Sequence, residues 1–199
     1  SVLAVPASLP VHSVADLVRT ARAQPGKLNY GSVGLGSLEH LWGSSFGKTQ
    51  GLDMVHVPFK GMPDAVTALS AGDIQVLPLV VTLAVPYAQK GLVRLLAVLD
   101  AHRHPQLPQL PTMQEAGFDA LPVAFWGGLA APAGTPAAVI DTLRQAIATT
   151  LRDPGLQAKL MATGTAPVVS ASSQAFRKVI EDELRWMNAA VKDMNLQIN

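Results

Sequence analysis

Apolar positions in the first hundred residues switch repeatedly between two periods. Short, mostly apolar runs at Val2–Val5, Leu28–Gly31, Met54–Val57, Ile74–Leu79 and Leu92–Leu99 have the length of buried strands. Between them the spacing becomes helical. Val14, Leu17, Val18 and Ala21 share one face of a segment running to Gln24, with Ser13 and Asp16 placed as a capping box and Pro25-Gly26 as a stop. A glycine-rich turn, Gly31–Gly36, leads to Ser37, which is placed to cap a helix with Leu38, Leu41, Trp42 and Ser45 inward. Further helices are predicted over Met62–Ala71 and Thr82–Lys90. Alternation of this kind predicts an α/β fold with a parallel-type sheet covered on both faces.

The pattern changes after Asp100. Ala101–Pro111, rich in His and Pro, reads as surface loop, and Val123–Ala131 is a long apolar segment. Everything beyond reads as helix. Thr135 with Pro136 opens one helix, with Val139, Ile140, Leu143 and Ile147 inward. Asp153-Pro154 opens a second. Ser172 or Ser173 opens a third, with Phe176, Val179, Ile180, Leu184, Met187 and Val191 inward. Residues 7–121 therefore read as one α/β lobe. Residues 1–6 and 122–199 read as crossover strands and helices of another lobe whose sheet they lack.

Composition narrows the function. The chain has 199 residues, 49% hydrophobic and 15% charged, with a formal charge of +1. That is a core-forming chain without the basic stripe of a nucleic-acid partner. It has no cysteine, which removes disulfide scaffolds and thiol nucleophiles. The stretch Ile74–Ala88 is broken by Gln75, Pro78, Thr82 and Pro86, too interrupted to span a bilayer.

The chemistry concentrates at Leu28–His40. A strand, a turn with Gly31, Gly34 and Gly36, and a helix start together offer backbone N–H groups to an anion, with Ser32 and Ser37 as hydroxyl donors and His40 one turn further. Lys60 and Gly61 follow a second strand and sit at a second glycine turn, so both turns are expected at the same sheet edge. Gly34-Leu-Gly36 lacks the last glycine of a dinucleotide fingerprint, and Gly36-Ser37 lacks the lysine of a phosphate-binding loop. Gly43-Ser44-Ser45-Phe46-Gly47 matches a nucleophile-elbow pattern but falls inside a predicted helix, so no catalytic serine is assigned. His102-x-His104 lies in a loop without acidic neighbours and is read as solvated, and His56 as a packed, hydrogen-bonded strand residue. No carboxylate pair, triad, metal cluster or cofactor motif is read, so the expectation is a binding protein with neither cofactor nor metal rather than an enzyme.

Leu28–His40, His56-Val-Pro-Phe-Lys-Gly61, Leu95-Leu-Ala-Val98, Leu110-Pro-Thr-Met-Gln-Glu-Ala-Gly117 and Gly128-Leu-Ala-Ala-Pro-Ala-Gly-Thr-Pro136 together resemble the Bug family. These are the extracytoplasmic solute receptors of tripartite tricarboxylate transporters. The resemblance implies a periplasmic receptor of the type II periplasmic-binding-protein kind, with two α/β lobes around a small carboxylate and membrane transporter subunits as partners. Carried over by position, Ser32, Gly34, Gly36, Ser37 and His40 would form one lobe's ligand loop, with Lys60 and Gly61 nearby. Two positions depart from the family. Leu79 and Val80 stand where an acidic or amide residue is usual, and Met62-Pro63-Asp64 replaces small residues. The family's N-terminal half-lobe has no counterpart here, so the expectation is a truncated receptor whose exposed helices drive self-association. An effector-binding domain of a transcription regulator shares this architecture and stands as the alternative.

Overall fold

The computed structural model describes residues 1–119, 126–162 and 164–193. Five strands, β1 (Val2–Pro6), β2 (Leu28–Ser32), β3 (Met54–Pro58), β4 (Leu77–Leu79) and β5 (Val93–Val98), alternate with α1 (Val14–Ala23), α2 (Leu38–Gln50), α3 (Met62–Ala71) and α4 (Val81–Gln89). Three helices follow, α5 (Ala137–Thr150), α6 (Pro154–Ala162) and α7 (Ser173–Asp193). By internal contacts the described residues form two units, 1–119 with 182–193, and 126–181.

In the first unit β2 and β3 pair in parallel, and a parallel bridge from Tyr30 to Val76 continues to β4. β4, β1 and β5 complete the sheet, with β1 antiparallel to both neighbours. The spatial order is therefore β3-β2-β4-β1-β5, and every strand but β1 runs the same way. Here the structure corrects the sequence reading. Residues 1–6, expected with the other lobe, supply the inner strand of this sheet, and all five residues of β1 are buried. Five consecutive apolar residues need cover on both sides, and only an inner strand provides it.

The alternation along β1 shows how the core is built. Leu3 and Val5 pack with Leu17, Trp42 and Phe46 on one face, and Val2 and Ala4 with Ala65, Leu69 and Val81 on the other. So α1 and α2 cover one side, and α3 and α4 the other. The caps follow the sequence closely. Ser13 Oγ accepts from Asp16 N at 3.0 Å, and Asp16 Oδ2 accepts from His12 N at 3.0 Å, one residue before the cap. The His12 amide and the Arg19 guanidinium hold the Asp16 carboxyl below its ordinary range. Arg94 ties the loop after β1 to β5 by donating to the carbonyls of Leu9, Val11 and Ala7.

The Thr112–Glu115 segment forms a complete capping box. Thr112 N donates to Glu115 Oε2 at 2.8 Å, and Glu115 N donates to Thr112 Oγ1 at 3.1 Å. Met113 N bonds to Val98 O, which docks the segment on the end of β5 and buries Met113.

In the second unit α5 begins at Ala137, and the Thr135 hydroxyl turns back to Pro132 O at 2.8 Å instead of capping it. Asp153 caps α6 and Ser172 caps α7, as their side chains accept from Leu156 N and Ala175 N. The Phe176 ring lies across Gly128, where a β-carbon would fall 2.2 Å from the ring. Val139, Leu143, Val179 and Leu184, expected inward, are exposed. The expected segment Val123–Ala131 falls partly, at 123–125, outside the described residues.

Candidate functional site

Because β2, β3 and β4 run in one direction, their carboxyl ends meet at one sheet edge, and each feeds the first turn of a helix. β2 leads to α2 through residues 33–37, β3 to α3 through 59–61, and β4 directly to α4 at Val80. Ser32 pairs with Pro58 in register, and Phe59 N donates to Ser32 O at 2.8 Å, so the first two turns are tied side by side. This is the convergence expected for Ser32–His40 and Lys60-Gly61, and it adds a third helix start that the sequence reading had not placed there.

The three helix starts differ in how they are capped. Ser37 caps α2, with its side chain accepting from His40 N at 3.4 Å. Gly61 and Val80 cap α3 and α4 without any side-chain hydrogen bond. Among the described residues the amides of Met62 and Asp64 on α3 and of Val81 and Thr82 on α4 have no protein acceptor, as an anion site requires, whereas Pro63 has no N–H and Leu83 N bonds to Val80 O. Lys60 is exposed beside them and carries no ion pair among the described residues. Asp64 is exposed in the first turn of α3, and Glu39 is buried in the first turn of α2. Leu79 is fully buried and Val80, at the cap of α4, is half-buried.

The glycine turn is organised from beneath. Gly34 (φ 129) and Gly36 (φ 80) occupy positive-φ backbone that a β-carbon disfavours. Gly34 N donates to Ser32 Oγ at 3.0 Å, and Gly36 N donates to His40 Nδ1 at 3.1 Å. Ser37 N bonds back to Gly34 O at 3.3 Å. The amides of Gly34 and Gly36, expected as anion donors, are thus committed inside the protein. Among the described residues Val33 and Leu35 keep amides without a protein acceptor, and Leu35 is 72% exposed at the tip of the turn.

Ser32 and His40 are buried, and both sit behind the turn. Ser32 Oγ lies 2.6 Å from His56 Nε2, and the His56 ring packs on His40 at 4.1 Å between centroids. Tyr30 completes the cluster at 5.1 Å from His56 and 6.4 Å from His40. Burial, and then the neighbouring His40, push the His56 imidazole down to about 4; burial lowers His40 as well, and lifts the Tyr30 phenol to about 12. These rings are neutral at pH 7. Sequence reasoning missed that Tyr30 and His56 support the turn. The available signal was strand alternation: Tyr30 and Ser32 share one face of β2, and His56 sits opposite Tyr30 in parallel register.

The serine of the elbow-like pattern has no such setting. Ser45 lies inside α2, and Gly43 is needed for packing, since a β-carbon there would fall 2.3 Å from the Tyr30 ring. Among the described residues no group of His, Cys, Asp or Glu could hold a metal, and no helix is long and apolar enough to cross a membrane.

The sequence profile of the TctC family, described as the tripartite tricarboxylate transporter family receptor, matches residues 1–196. The chain belongs to the TctC family. A UPF0065 protein from the tcbD-tcbE intergenic region of Pseudomonas sp. (strain P51) is 34% identical over 96% of this chain and 57% of its own length. Among solved structures, R. palustris Rpa4515 with adipate superposes with a TM-score of 0.85 at 34% identity, covering 96% of this chain and 64% of that one. A structure described as a periplasmic transporter gives a TM-score of 0.84 at 32% identity, covering 100% of this chain and 66% of that one. This TctC-family chain thus spans about three-fifths of the length of these relatives.

Proposed function

We propose that this chain forms one wall of a periplasmic receptor that captures a small carboxylate for a tripartite transporter. The observation that carries the reading is the meeting of three helix starts at one sheet edge, two of them without side-chain caps, with Lys60 beside them. Uncommitted amides and one cation recognise a carboxylate without needing a titratable partner. Membership of a receptor family supports it, as does the adipate named with Rpa4515. The transporter's membrane subunits are the expected partners, and the second wall is supplied by sequence of the kind the relatives have beyond this chain's span.

No acidic or amide side chain stands at Leu79 or Val80, which favours ligands without an ammonium group. Succinate, adipate, citrate, aspartate and glutamate, compared by ligand-detected NMR against this chain, test the class. Simple dicarboxylates are expected to bind more tightly than either amino acid, and Lys60→Glu to abolish the effect. Tighter binding of glutamate than of every simple carboxylate, or no response to any of the five, would contradict the reading.

A further inference from the structure

Ser32 Oγ and His56 Nε2 at 2.6 Å have the spacing of a nucleophile and its base, yet Ser32 is fully buried and already accepts from Gly34 N. Chemistry at that oxygen is blocked, so the contact must serve another end. We propose that His56 and His40 are positioning residues that hold the glycine turn in its anion-receiving form by fixing the Gly34 and Gly36 amides inward. This rests on the reading of that turn as a ligand wall.

The hydrogen-bond inventory makes the arrangement specific. A serine hydroxyl has one proton to give and two lone pairs to receive. Ser32 Oγ faces the Gly34 amide at 3.0 Å, the Gly34 carbonyl at 3.1 Å and His56 Nε2. The amide must donate and the carbonyl must accept, so the hydroxyl gives its proton to Gly34 O. All three contacts are then satisfied only if His56 carries its proton on Nε2 and donates it to Ser32. His40 is fixed independently. Its Nδ1 accepts from Gly36 N, so its proton is on Nε2. Both rings hold the same tautomer, and their mutual packing at 4.1 Å locks the two latches together. The consequence reaches the turn's outer side, where Val33 and Leu35 keep the amides still available to a ligand.

The test needs no ligand to decide the proposal. Nitrogen-15 NMR of the imidazoles in the ligand-free chain at pH 7 should show both His40 and His56 as neutral Nε2–H tautomers. An Nδ1–H tautomer at either ring would overturn the proposal. His40→Asn keeps an acceptor near Nδ1, and His56→Gln keeps a donor near Nε2. Both should leave Gly36 and Gly34 amide exchange as in the parent. His40→Leu and His56→Phe should speed exchange at Gly36 and Gly34, respectively, by about tenfold, the usual worth of one hydrogen bond. Equal exchange in the conservative and the apolar variants would also overturn it. Succinate and adipate titrated into the same samples read the binding reading separately: latches present with neither acid bound would refute the carboxylate wall and leave the positioning roles standing.

Discussion

At the scale of single residues, the turn is held by two imidazoles that stay neutral in the folded chain. His56 falls from an ordinary 6.5 to about 4, and His40 is lowered too, both chiefly by burial. Tyr30, itself neutral, touches both rings, and Glu39 is buried in the first turn of α2 next to His40. An unfolded chain takes up protons on these histidines below about pH 6.5 and the folded chain does not. Their contribution is therefore complete above that pH and is lost as pH falls toward 4. Asp16 and Glu115, also depressed, act in a lower window, below their ordinary 3.8 and 4.5. Urea midpoints should fall between pH 6.5 and 5, and His56→Gln should flatten that part of the profile. A midpoint that stays constant across this window in the parent would contradict the buried neutral pair.

At the scale of elements, the turn–helix unit of residues 32–40 carries the site, and its parts can be removed one at a time. Ser37→Ala deletes the α2 cap and should lower stability by about 1 kcal/mol. Gly36→Val should cost more, because φ 80 is a backbone a β-branched residue strongly resists. Thermal melts check the order; a valine variant as stable as the alanine one would mean the turn is relaxed rather than held. Much of this unit was legible in the sequence. Ser13, Ser37 and the glycine turn are local signals, and the periods of α1 to α4 follow from covering one sheet face each. The failures were equally physical. The inner face of α2 was placed on Leu38, Leu41, Trp42 and Ser45. Leu41 and Trp42 are buried, but Leu38 and Ser45 are only partly so, and Glu39, His40 and Phe46 are buried instead, the histidine because it packs against a strand residue sixteen positions away. β1 was assigned to the wrong lobe because five apolar residues read the same in any sheet and in either direction. The Ser32–His56 contact depends on pairing register, which no local pattern encodes.

At the scale of the whole molecule, the two units differ in completeness. The first has a sheet covered on both faces. In the second, α5 and α6 bury no residue, and Val139 and Leu143 on α5 with Val179 on α7 are each about half exposed. Such surface is usually covered by association, so light scattering at micromolar concentration should report a dimer or larger. A monomer over that range would show that these helices tolerate water. On the proposed reading of one wall acting alone, a bound acid stays largely solvated, so affinity should be weaker than in an enclosed cleft by several kcal/mol, about a thousandfold or more. Weak binding is still mapped well by amide chemical shifts. Titrating adipate into the nitrogen-15-labelled chain should move Val33, Leu35, Lys60, Gly61 and Val81 at the sheet edge. Shifts confined instead to the apolar hollow at Leu95 and residues 106–110 would contradict a carboxylate wall built from three helix starts.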